Sequence, residues 1–72
     1  MQKMVKVKKG IAKEIRANFV FPTVSFARKA GKTASWVHRL LRDIETGADF
    51  AITRVLRLSA ILERPAVELI RK

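Results

Sequence analysis

Two glycines sixteen positions apart, Gly31 and Gly47, bracket a stretch whose apolar residues recur at helical intervals. No other segment limits the fold as strongly. On a wheel of about 100° per residue, Leu40, Leu41 and Ile44 fall within about 60° of Val37, a narrow apolar stripe that has to face a core. The spacing predicts a helix from Ala34 to Glu45 or Thr46, with Thr33 as its N-cap and Gly47 just past its end. Gly31 closes a shorter helix in the same way, because glycine tolerates the positive φ of the residue after a helix C-terminus. Arg28 and Lys29 then oppose the negative end of that helix dipole.

The rest of the chain reads as further helices. Ile11, Ala12, Ile15 and Phe19 recur at helical spacing with Lys13, Glu14 and Arg16 on the outer side, which predicts a first helix ending before Pro22. Proline disfavours helical geometry at Phe21, so a second helix opens near Thr23, capped by Thr23 or Ser25 and turning Val24, Phe26 and Ala27 inward. Two short helices joined by a glycine-bearing turn form a helix-turn-helix unit. Beyond Gly47, a fourth helix starts near Asp49 or Thr53, with Ile52, Val55, Leu56 and Leu62 as its stripe and Leu58 and Ile61 outside it. Pro65 suits the first turn of a last helix holding Ala66, Leu69 and Ile70. The opening MQKMVKVKKG alternates apolar and basic residues and is compatible with a strand, a helical lead-in or a disordered arm. The expected organisation is a basic N-terminal arm over residues 1–10 and a helix-turn-helix domain over 11–72. The expected fold class is all-α, a small bundle of four or five helices.

A chain of 72 residues has room for one domain and buries a small fraction of its surface. With no cysteine there is neither a disulfide framework nor a thiolate metal site to add stability. A second copy of the chain is the remaining staple, and Leu58, Ile61, Val67 and Ile70 are surplus apolar residues for a homodimer. Lysines break up the N-terminus, and no apolar run approaches the roughly 20 residues that cross a bilayer, so a soluble, cytoplasmic protein without membrane contact is expected. Sixteen Lys and Arg against six Asp and Glu leave a net charge of +10. That excess goes beyond the charge magnitude of roughly 2 to 8 that suffices for solubility, and it calls for a polyanionic partner, nucleic acid first.

The outer face of the third helix is where such a partner would be read. Ser35, Arg39, Arg42 and Thr46 cluster opposite the apolar stripe, with His38 beside them. An arginine donates two bonds to guanine O6 and N7, and a hydroxyl bonds several base edges, so this face has the chemistry of direct base reading. Asp43 and Glu45 stand at its flanks, where they would repel phosphate unless paired with cations. Trp36 sits on the edge of the stripe, an aromatic for packing. His38 is the only histidine, and a lone imidazole without cysteines makes no metal site. Neither a catalytic constellation nor a glycine-rich phosphate loop is present, so no enzyme and no cofactor is expected.

The stretch FARKAGKTASWVHRL resembles the helix-turn-helix core of the phage Cro and repressor-like regulators, the XRE family. Phe26, Ala27, Gly31, Val37 and Leu40 stand at the places of that pattern. The likeness continues through ETGADFAITRVLRLSAILERPAVELI, with its Glu-x-Gly turn at Glu45 to Gly47, and spans about Ile11 to Ile70. In most members the two turn glycines lie closer together, so the third helix here is longer by one turn. The resemblance implies a lambda-repressor-like fold. Its base-reading places fall on Ala34, Ser35, His38 and Arg39, and its phosphate-clamping places on Thr23, Lys32 and Thr33. Arg42 and Thr46 join these from the wheel, Arg42 for bases and Thr46 for the backbone. It also implies a dimer on an inverted repeat of double-stranded DNA, acting as a repressor on a phage or other mobile element, and since 72 residues leave no space for a ligand-sensing domain, repression of its own operon is expected. An antitoxin that neutralises a partner toxin and represses the shared operon is the alternative. RNA binding is disfavoured because no exposed aromatic pair is evident for stacking bases.

Overall fold

A computed structural model describes residues 3–71, so Met1 and Gln2 of the expected arm and Lys72 at the end of the expected domain lie outside it. The element order is β1 (Met4–Lys6), α1 (Lys9–Asn18), α2 (Pro22–Ala30), α3 (Ala34–Thr46), β2 (Asp49–Ala51), α4 (Ile52–Leu62) and α5 (Ala66–Leu69). The domain is mainly helical, and the expectation of an all-α chain is corrected by a small sheet. β1 pairs antiparallel with β2 in the register Met4↔Ala51, Val5↔Phe50 and Lys6↔Asp49. The other edge of β1 is covered by the chain end: Val7 bridges Ile70, the Arg71 amide donates to Lys6 O at 2.7 Å and the Lys8 amide donates to Leu69 O at 2.8 Å. Of the alternatives for the opening residues, a strand forms over Met4–Lys6, while Lys9 and Gly10 already belong to α1; Val5 packs against the core and Val7, just past the strand, is 1% exposed.

The core follows the periodicity of α1 and α3. Ile11, Ala12 and Ile15 of α1 are buried, as are Val37, Leu40, Leu41 and Ile44 of α3, the predicted stripe in full. Each large aliphatic side chain taken out of water contributes about 1.5–3 kcal/mol. Phe26 anchors the α2 side, with Phe19 edge-on at 5.1 Å and Trp36 stacked at 6.3 Å between ring centroids. Trp36 is therefore the packing aromatic the wheel suggested. β2 adds Phe50, which is fully buried.

Expectations change at the start of α2 and along the face of α4. Pro22 is itself the first residue of α2, and its N-cap is Phe21 in the left-handed region at φ 104°, so neither Thr23 nor Ser25 caps the helix. Ser25 Oγ donates to Phe21 O at 3.1 Å, and Val24 points outward at 55% exposure. α4 starts at Ile52 because residues 49–51 are taken up by the sheet, and its buried positions are Val55 and Leu58, whereas Leu56 is 54% exposed. The apolar surplus of the C-terminal half is largely used inside the domain. Leu58 is core, Ile61 and Ile70 pack against the core, and Val67 is exposed.

The turn between α2 and α3 matches its sequence signals. Gly31 lies at φ 68°, and the amides of Gly31 and Lys32 donate back to Arg28 O and Ala27 O, the double closure of a Schellman motif. Thr33 Oγ1 accepts from the Trp36 amide at 3.2 Å and caps α3. Gly47 repeats the closure at φ 76° after α3. Among the described residues, no helix is long and apolar enough to cross a membrane.

Candidate nucleic-acid interface

With Val37, Leu40, Leu41 and Ile44 turned into the core, the helical period places Ser35, His38, Arg39, Arg42 and Thr46 on the solvent side of α3, and all five are exposed. His38, Arg39, Arg42 and Thr46 line one open concavity of about 810 Å³, whose wall is completed by Arg16 of α1 together with Asp43 and Glu45. Thr33, Ser35, Trp36 and Arg39 line a second one of about 410 Å³ at the start of the helix. Arg39 belongs to both and stands at the middle of the face. Lys32 is exposed in the turn and Thr23 is half-buried at the start of α2, and neither lines either concavity.

The acids give this face its sign. All six Asp and Glu side chains of the chain are engaged by cations: Glu14 and Glu68 by Arg64, Asp43 by Arg54 at 2.9 Å, Glu45 by Arg16 at 3.0 Å, Asp49 by Lys6 at 3.0 Å and Glu63 by Lys29 at 3.5 Å. The two acids expected to repel phosphate at the flanks of α3 are thus both neutralised by partners from other elements. Arg28, Lys32, Arg39 and Arg42 have no acid partner among the described residues, so the outer side of α2 and α3 carries a positive charge that nothing within the domain offsets.

Arg16 holds Glu45 through two parallel bonds, Nε to Oε2 at 3.2 Å and Nη2 to Oε1 at 3.0 Å. This fork-to-carboxylate geometry is the strong form of the contact. Hydrogen bonding to Glu45 and the charge of that carboxylate raise the Arg16 guanidinium further above its ordinary value. The Glu14 carboxylate, also on α1, raises Arg64 chiefly by the hydrogen bond it accepts. Arg54 ties Asp43 to the start of α4 and lies 4.3 Å over the Phe50 ring, which keeps that acid at the edge of the face.

Two of the hydroxyls differ in what they can offer. Thr33 accepts from the helix and keeps its own proton free for an incoming oxygen. Thr46 donates its proton to Arg42 O at 2.8 Å and Asp43 O at 3.4 Å, so it has an acceptor for a partner and no donor for a phosphate. It also sits at the negative end of the helix dipole, the wrong end for an anion. Arg16 was not singled out from the sequence, because its reach to Glu45 crosses 29 positions and no local spacing signals it. Taken together the face offers planar bidentate donors, hydroxyls and an imidazole on a rigid helix. That set fits a polyanion whose surface also presents paired acceptors. Comparison of the chain with protein-family models, with curated proteins and with solved structures found no match to any of them.

Proposed function

We propose that the chain is a sequence-specific double-stranded DNA-binding regulator that lays α3 in the major groove. α2, the Gly31 turn and α3 would then act as a helix-turn-helix unit. The observation that carries this reading is the pairing of all six acids, which leaves the exposed side of α2 and α3 as unopposed cation around Ser35, His38, Arg39 and Arg42. In this reading those four residues read base edges, with Arg39 and Arg42 seeking guanine, while Thr23, Lys32 and Thr33 hold phosphates. Assignment to the Cro and repressor-like family, a homodimer on an inverted repeat and autorepression of an operon on a mobile element belong to the same proposal and rest on the sequence resemblance. The test is selection of bound duplexes from a random pool. Enrichment of one palindromic sequence supports the reading, and a pool that stays random after repeated rounds rejects it.

A further inference from the structure

We propose that the interface does not end at α3 but continues over α1, where Lys9, Gly10 and Lys13 form a second track for the phosphates of the same duplex. This rests on the DNA-binding reading of α3. A third concavity, about 390 Å³, is lined by Lys9, Gly10, Lys13, Arg16 and Glu45. It shares Arg16 and Glu45 with the concavity of His38, Arg39 and Arg42, so the two are neighbours on either side of that ion pair. The pair neutralises the one acid on the ridge between them. Lys9 and Lys13 are exposed and have no acid partner among the described residues. They stand four residues apart on one helix face, about 6 Å along the axis, which leaves each free to take a separate phosphate oxygen.

Gly10 is the second observation. It lies in the first turn of α1, where glycine is a poorer helix former than alanine, and a Cβ at this position would meet nothing within 4 Å. Neither packing nor a positive φ requires glycine there. What it provides is bare backbone between two lysines, room for a sugar-phosphate strand to come close. The bases stay with α3, and α1 grips the strand that leaves the groove past the end of α3, where the helix dipole and Thr46 offer a phosphate nothing.

The test compares wild type, the double variant Lys9→Gln/Lys13→Gln and the control Lys3→Gln/Arg57→Gln, which removes the same charge from residues that line none of the three concavities. Each is titrated against the selected duplex and a scrambled one over a range of salt. Two lost phosphate contacts lower the slope of log affinity against log salt by about 1.8, at about 0.9 per phosphate, on both duplexes and with the specificity ratio kept. The control should change it by less than half as much. Gly10→Leu, which leaves the charge alone, should weaken both duplexes several-fold with the fold intact by circular dichroism. An unchanged slope in the α1 variant, an equal change in the control, or wild-type affinity for Gly10→Leu overturns the proposal while the α3 reading stands. Failure of the wild type to bind any duplex removes the α3 reading itself.

Discussion

Replacing Arg39 or Arg42 by alanine removes a guanidinium from the exposed side of α3 and leaves Val37, Leu40, Leu41 and Ile44 in the core, so the fold should survive. A bidentate contact to guanine is worth about 1–3 kcal/mol of discrimination, and that is the loss expected on the selected duplex, with less on random DNA. Lys32→Ala should weaken both duplexes alike, because a phosphate contact carries no base information. Titration of the three variants at one salt concentration separates the roles, and equal losses on both duplexes for the arginine variants would reduce α3 to a backbone grip. Phe21 makes a different expectation. Its φ of 104° is costly for a residue with a Cβ, by about 1–3 kcal/mol, and its ring is 73% exposed and so gains little by burial. Phe21→Gly should therefore raise unfolding stability in urea by about 1 kcal/mol. A drop in stability would show that the ring contributes more than its exposure implies.

At the scale of elements, α1, α2 and α3 were legible because each combines a strong helical period with a local stop or start signal: Pro22 between the first two, Gly31 and Thr33 in the turn, Gly47 at the end. The sheet was not. β1 and β2 have three residues each, too short for an alternation to be distinguished from chance, and they join positions more than forty residues apart through backbone bonds that no side chain announces. That omission also displaced the stripe of α4. With Asp49 to Ala51 drawn into the strand, the helix presents Val55 and Leu58, and Leu56 turns to solvent. Because Val7 belongs to the core and Val5 of β1 packs against it, the N-terminal residues are structural as well as basic. Val7→Ala should cost about 2 kcal/mol in denaturant melts, and a change near zero would mean that the strand and its bridge to Ile70 contribute no stability.

For the whole molecule, the candidate face was visible in the sequence as a helix wheel, but its electrostatics were not. That Asp43 and Glu45 stand at the flanks of the face is plain from the wheel, whereas their partners Arg54 and Arg16 emerge only when α4 and α1 pack beside α3. The continuation over Lys9 and Lys13 has the same origin. An i, i+4 lysine pair flanking a glycine was a local signal, and its place beside Glu45 is tertiary. The proposed homodimer should sediment as two copies at micromolar concentration with operator DNA, the two α3 helices about 34 Å apart on one face of the duplex. A single copy per duplex would end the inverted-repeat proposal. The central claim, that the unopposed cations surround a face that reads bases, is tested most directly by measuring wild-type affinity for the selected and the scrambled duplex between 50 and 200 mM salt. Six or more phosphate contacts predict a fall of roughly a thousandfold or more on the selected duplex, which should still be preferred at least about a thousandfold over the scrambled one. Equal affinity for both duplexes, or a response flat in salt, would contradict it.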